Sequence, residues 1–257
     1  MPQATDDLRT LVEDYLEGLE LWPQLHGQAE SVRYSLTVGG KRVRPVICLA
    51  TAEAAGAEPE AALPAGCALE LVHTFSLVHD DLPALDDDEE RRGQPSTWKR
   101  YGEAVGILAG DALLAEAFRL ATSYETPEVA RELAEATLGM IGGQYLDITG
   151  TAPDEATLHR LKTGCLFAAA VGLALWAARV PPAEQRPWRA FGDELGLLFQ
   201  IVDDILDSDG YVVTHGTDGA RRLADEAAER ARARLDEVDA HTSVLRDIVD
   251  GLAVRTA

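Results

Sequence analysis

Apolar residues recur at three- and four-residue spacings through almost every stretch of the chain, and no segment sustains the strand-like alternation rich in Val, Ile and Thr. The periodicity predicts an all-α protein with helices over 5–21, 28–38, 45–55, 61–81, 103–124, 128–149, 154–178, 183–208, 218–239 and 241–254. Breaks fall at Pro23, Gly39 and Gly40, Gly56, Pro83, Pro127, Pro153, Pro181 and Pro182, and Gly210. No long linker, internal repeat or low-complexity tract divides the pattern, so a single domain over residues 1–257 is expected. Alanine-rich helices suit close packing in a bundle.

Composition changes this picture little, whereas charge changes it more. With 257 residues, 46% hydrophobic and 26% charged, the chain has the length and apolar content for a core. It carries 23 Lys+Arg against 44 Asp+Glu, a net charge of −21. That balance excludes a broad basic surface for nucleic acid, so a phosphate ligand needs local cations or metal. Cys48, Cys67 and Cys165 lie in apolar runs without zinc spacing, which points to a reducing cytoplasm. The polar, acidic start MPQATDDLRT lacks the features of a secretion signal. The longest nearly uncharged run, 163–178, is shorter than the roughly 20 residues needed to cross a bilayer, so no membrane span is expected.

The acidic residues concentrate in two clusters. One holds Asp80, Asp81, Asp86, Asp87 and Asp88, and the other Asp203, Asp204 and Asp207. Grouped charges commonly form a solvated helix face. In FQIVDDILD, however, the carboxylates interrupt a run that otherwise reads as core, where charges must be paired or bind metal. Gln200, Asp203 and Asp207 fall at spacings of three and four, along one helical stripe. In VHDDLPALD, Pro83 disfavours helix at Leu82 and lets the chain swing Asp86 back toward Asp80. Facing groups of oxygen ligands suit a hard cation such as Mg²⁺, which completes its shell with water and substrate phosphates. The pattern predicts diphosphate bound through magnesium.

Cations are concentrated in GGKRVRP, directly before a predicted helix that Pro45 suits as a first residue. Backbone donors at that helix start, with Lys41 and Arg44, would grip an anion, although a basic loop is often plain surface. Arg91 and Arg92 follow the first acidic cluster, and His73 lies two turns before Asp80 on the same face. Lys162 and Thr163, and Gln144 with Asp147, carry weaker signals. The remaining histidines, the tryptophans and Met140 show no chemical pattern.

These residues together resemble the trans-isoprenyl diphosphate synthases, or polyprenyl synthetases. GGKRVRP, HTFSLVHDDLPALDDDEERRG, GDALL, GGQYLD, LKTG and FQIVDDILD occur in family order across roughly residues 30 to 210. The resemblance implies an isoprenoid synthase-type helical bundle with the aspartate motifs facing across a central cavity, three Mg²⁺ ions and a homodimer. By it, Asp80, Asp81, Asp86, Asp203 and Asp207 are metal ligands. Lys41, Arg44, His73 and Arg92 align with residues that hold isopentenyl diphosphate, and Arg91, Lys162, Thr163 and Gln200 with those around an allylic diphosphate. Phe75, with Ser76 one turn beneath Asp80, aligns with positions that set chain length. An aromatic there, before a first motif lengthened by two residues, is similar to the bacterial farnesyl diphosphate synthase pattern.

The implied activity is Mg²⁺-dependent condensation of isopentenyl diphosphate with an allylic diphosphate, yielding farnesyl diphosphate. Geranylgeranyl diphosphate synthesis, a terpene cyclase and a non-catalytic partner subunit are the alternatives. After the second motif the chain departs from the family: SDGYVVTHGTDGARRLADEAAERARARLDEV stands where a Gly-Lys loop is expected. His215, Arg221 or Arg222 are the cations of that segment that could substitute.

Overall fold

The computed structural model describes residues 2–254, and its order is helix after helix. The elements are α1 (Pro2–Glu17), α2 (Gln28–Thr37), α3 (Val43–Ala54), α4 (Leu63–Asp80), β1 (Glu90–Arg91), β2 (Gln94–Pro95), α5 (Thr97–Tyr101), α6 (Glu103–Ala121), α7 (Glu128–Thr149), α8 (Glu155–His159), α9 (Cys165–Ala177), α10 (Arg186–Asp207), α11 (Tyr211–Asp236) and α12 (Ser243–Ala253). Most predicted helices are present within a few residues. The first is shifted, ending at Glu17 rather than residue 21.

Three departures bear on the site. The predicted helix over 154–178 is interrupted by a π turn, Arg160–Gly164, between α8 and α9. The stretch after the first acidic cluster holds a two-residue hairpin, with Glu90 opposite Pro95 and Arg91 opposite Gln94, and then short α5. Helical structure resumes at Tyr211, before the predicted residue 218, but the backbone leaves helical values at Gly216 (φ 70°, ψ 161°). A short turn therefore precedes the long straight part of α11.

Helices α3, α4 and α9 form the centre because they are apolar on nearly every side. Cys48, Leu49, Leu69, Leu71, Phe167, Leu173 and Leu175 are fully buried in them. α4 packs chiefly on α6, and α10 on α9 and α11. Two stretches, Pro59–Asp80 and Glu155–Ala177, are long and apolar enough to cross a membrane by length and composition. Most of the first and half of the second are buried inside the bundle.

Close helix approaches set the height of the site residues. At Gly143 of α7, a Cβ would sit 2.5 Å from the Lys162 backbone nitrogen in the π turn. Gly143→Ala improves helix propensity but overpacks this crossing, and overpacking costs about 1–3 kcal/mol. A lowered thermal midpoint by circular dichroism is expected. An unchanged midpoint would contradict the close approach of α7 to the π turn.

Candidate active site

A cavity of about 500 Å³ opens between α4, α7, α9 and α10, and both acidic motifs border it through Asp80 and Asp203. α4 delivers the first motif. Its apolar run buries it to the last turn, and Pro83 then turns the chain so that the Asp86 N–H donates to the Asp80 carbonyl at 2.9 Å. The expected return of Asp86 toward Asp80 is thus a backbone hydrogen bond. The Asp80 carboxylate accepts from Gln144 Nε2 at 3.0 Å. Burial, then the neighbouring Asp86, pushes its pKa from 3.8 up to about 6.

Asp81 lies elsewhere. Its buried carboxylate accepts from Arg91 Nε at 2.8 and 2.9 Å and from Arg91 Nη2 at 2.5 Å. Both residues are satisfied by each other, so Asp81 acts here as the partner of Arg91, beside the expected metal ligands. Burial still raises the Asp81 pKa, against the lowering by Arg91.

The second motif divides between two sides of α10. Asp203 and Asp207 reach solvent, and the walls around Asp203 still take away part of its hydration, so that partial desolvation, followed by the charges of Asp207 and Asp204, raises its pKa, while Arg44 and Lys41 oppose the rise. Gln200 departs from the expected stripe. It is buried, donates from Nε2 to Asp204 Oδ1 at 2.6 Å and borders a second cavity of about 740 Å³. Asp204 Oδ2 accepts from the Tyr211 N–H at 2.9 Å, and a Cβ on Gly210 would meet that oxygen at 2.1 Å. The middle aspartate therefore fastens the end of α10 to the segment that departs from the family pattern.

Two of the expected cations line the cavity itself, and the others stand beside it. Lys162 and Thr163 line it, and Lys162 is paired with Asp147. Arg44 also lines it, with its guanidinium 4.5 Å from the Phe167 ring centroid and 5.9 Å from that of Phe199. The Arg44 Nε is buried with no hydrogen-bond partner among the described residues, and burial lowers the pKa of the group. His73 borders both this cavity and a small adjoining one that holds Arg91 and Arg92. Burial, then Arg44, Arg92 and Arg91, holds the His73 imidazole well below its usual pKa, so it is neutral near pH 7. Lys41 is exposed at the neighbouring surface.

Phe75 and Ser76 form part of the wall beneath Asp80, with Met140, Ile141, Tyr145 and Leu166. His79 and Met140, which showed no chemical pattern in the sequence, line the cavity as well. His79 stands edge-on to Phe75 at 5.2 Å, in a space that exists because residue 110 is glycine. A further group was missed: one candidate ligand atom from each of Glu155, His159 and Asp204 lies within 4.8 Å of the others, beside the larger cavity. Gln144 and Asp147, weak signals in the sequence, hold Asp80 and Lys162.

Residues 27–220 match the family model described as polyprenyl synthetase. The chain belongs to the polyprenyl synthetase family. Farnesyl diphosphate synthase of Bacillus subtilis is 36% identical over 261 aligned positions, covering 94% of this chain and 87% of that protein. Geranylgeranyl diphosphate synthase of Cyanophora paradoxa is 43% identical over 194 residues, and the match spans 69% of this chain but only 64% of that protein. Among solved structures, a FPP/GFPP synthase from Zymomonas mobilis superposes with a TM-score of 0.83 at 31% identity, covering 98% of this chain and 96% of that one. The expected isoprenoid synthase-type helical bundle is therefore the fold of this family member.

The raised Asp80 pKa has a measurable sign. The native state holds this proton more tightly than the unfolded chain, so ionising Asp80 lowers stability as pH rises from 3.8 to about 6, and the cost is fully present above that. In chelator-treated protein, Asp80→Asn raises the thermal midpoint more at about pH 7.5 than at about pH 4. An effect of equal size at both pH values would contradict the strained, metal-free carboxylate.

Proposed function

We propose that this polyprenyl synthetase family member is a short-chain trans-prenyltransferase that joins isopentenyl diphosphate to an allylic diphosphate, with farnesyl diphosphate as product. One observation carries the reading: two aspartate motifs and two cations, Arg44 and Lys162, meet at the head of one cavity whose remaining walls are mostly apolar. Two diphosphates have different requirements there. The cationic side, with Lys41, Arg44, His73 and Arg92, suits isopentenyl diphosphate, and the unpartnered Arg44 Nε is a donor awaiting an anion. The acidic side, with Lys162 and Thr163 on its wall and Arg91 behind it on Asp81, suits the allylic diphosphate only with added positive charge, whereas Gln200, held on Asp204 beside the larger cavity, lies off this side.

The donor set fits that need. Asp80, Asp86, Asp203 and Asp207 offer oxygen ligands alone, and burial, then the neighbouring carboxylates, raises the pKa values of Asp80 and Asp203, a cost that an added cation would offset. These residues, with Asp81 behind them on Arg91, would hold Mg²⁺, three ions in all, whose charge stabilises a leaving diphosphate. In the reaction the allylic C–O bond breaks and its electron pair leaves with diphosphate. The double bond of isopentenyl diphosphate attacks the allylic carbon, and the proton lost from the adduct goes to the departing diphosphate. Lys162, on the cavity wall, faces developing negative charge, and Arg91 acts from behind Asp81. Phe75, Met140 and Leu166 keep water from the allylic cation.

Phe75 stands in the tail's path beneath Asp80, which supports the fifteen-carbon product. The likeness to a geranylgeranyl diphosphate synthase makes twenty carbons the alternative. The same reading places the enzyme in the cytoplasm as a homodimer. Exposed Ile107 and Leu108 on α6 and Leu138 on α7, large apolar side chains outside the cavity, support coverage by a second copy.

Product analysis with labelled isopentenyl diphosphate, Mg²⁺ and five-, ten- or fifteen-carbon allylic starters tests the proposal. A fifteen-carbon end point is expected, and no incorporation by folded protein would turn the reading to a cyclase or a partner subunit. Asp80→Asn and Asp203→Asn lower turnover by about a hundredfold or more while the helical circular dichroism persists. Near-normal turnover in either would remove the metal assignment. Phe75→Ala lengthens the product, and an unchanged product profile would leave Phe75 a packing residue.

A further inference from the structure

The loop Gly39–Lys41 and its first helical turn carry two of the cations assigned to isopentenyl diphosphate, and something must hold that loop in place. The residue between them, Arg42, does not face the cavity. It is 4% exposed, and its backbone takes the left-handed conformation (φ 48°, ψ 36°), which a residue with a side chain adopts only when its surroundings impose it. The guanidinium supplies the constraint. Its Nη1 donates to Glu70 Oε1 at 2.9 Å, its Nε to Glu13 Oε1 at 2.9 Å and its Nη2 to the Leu36 carbonyl at 2.6 Å. Three directions of the planar fork are thus fixed from α4, α1 and α2.

Glu70 does more than pair with Arg42. It is 4% exposed in the middle of α4, in the apolar run ALELV, where an ionised group needs partners. Its charge favours the protonated forms of Arg42, Arg44 and Arg92 alike. Arg92 comes from the hairpin turn, and its Nη1 lies against Gly40, where a Cβ would approach it to 2.9 Å. Loop, helix start and hairpin turn therefore converge over one buried carboxylate. The same small cavity borders Glu70, His73, Arg91 and Arg92, so the carboxylate sits beneath the cations and does not compete with them from the solvent side.

We infer that Glu70 is a positioning residue for the isopentenyl diphosphate subsite, acting through Arg42 to fix the Gly39–Lys41 loop and to balance the arginine cluster before substrate arrives. This rests on the two-diphosphate reading above. Glu70 touches neither substrate. Its removal displaces cations on one side of the cavity and leaves Asp80, Asp203 and Lys162 where they are. The consequence is selective: the subsite built from the loop weakens, and the subsite built from the aspartate motifs does not.

Steady-state kinetics of Glu70→Gln test this, because the amide keeps the shape and removes the charge. The KM for isopentenyl diphosphate rises about tenfold or more, whereas the KM for the allylic substrate and kcat stay within about threefold. Glu70→Asp, which keeps the charge, recovers part of the loss. Unchanged constants in folded Glu70→Gln, or a parallel rise of both KM values, would overturn the inference. If Glu70→Gln fails to fold, Glu13→Gln at the exposed end of the same network decides: a smaller rise confined to isopentenyl diphosphate supports the inference, and no selective change overturns it. Should the wild type show no prenyl transfer, that reading falls separately. Calorimetric titration of inorganic diphosphate then decides the anchor, with about tenfold weaker binding to Glu70→Gln expected and equal binding contradicting it.

Discussion

Charge has to be kept unsolvated at the end of an apolar helical bundle, and the rest of the structure follows from how each charge is balanced. A carboxylate or guanidinium removed from water is tolerated only with a partner, a polarisable surface or a changed protonation state. This chain uses all of these means. Asp81 has Arg91, and Arg42 has Glu70 and Glu13. Arg44 lies on the faces of two phenylalanines, and His73 sheds its proton. Asp80 and Asp203 have pKa values pushed upward by lost hydration and then by neighbouring carboxylates, which the nearby cations only partly oppose. Asp80 and Asp203 border the cavity as carboxylates, and Arg44 borders it as a guanidinium with no ion-pair partner among the described residues.

That division gives one cavity two chemical sides. Backbone architecture maintains it: the Pro83 turn returns Asp86 to Asp80, the π turn brings Lys162 and Thr163 to the same head, and left-handed Arg42 sets the loop opposite. Beneath the charges the cavity is lined by Phe75, Met140, Ile141, Leu166 and Phe199, a surface for a hydrocarbon tail. The segment after the second motif is fastened through Asp204 to Tyr211 and Gly210, so its departure from the family begins immediately behind a site aspartate.

Much of this was legible in the sequence because periodicity and proline reveal helices and their ends, and because motif spacing reveals which charges share an element. The Asp80–Asp86 return followed from Pro83 alone. The Arg42–Glu70 pair did not, since residues 28 positions apart obey no helical spacing rule; the clue was a glutamate inside ALELV, which demanded a partner without naming it. The π turn in RLKTG leaves no mark on the apolar pattern; it lies against Gly143 of α7, a contact between residues too far apart in the chain for spacing to reveal. Gln200 was placed on the Asp203 stripe by spacing, but i and i+4 also joins it to Asp204, and the carboxylate that needed a buried donor won. His159 shares α8 with Glu155 one turn before it, but the third member, Asp204, comes from α10, which no spacing rule along one helix could reveal.

The central claim is that the two diphosphate subsites differ in what they require, cations of the protein on one side and added metal on the other. Isothermal titration of the wild-type protein with isopentenyl diphosphate, and separately with a non-ionisable allylic thiolodiphosphate, tests it directly when each is run with Mg²⁺ and with chelator. Isopentenyl diphosphate is expected to bind with little change between the two conditions, and the allylic analogue to lose its binding in chelator. Equal dependence on metal for both ligands, or for neither, would contradict the division of charge on which the site is built.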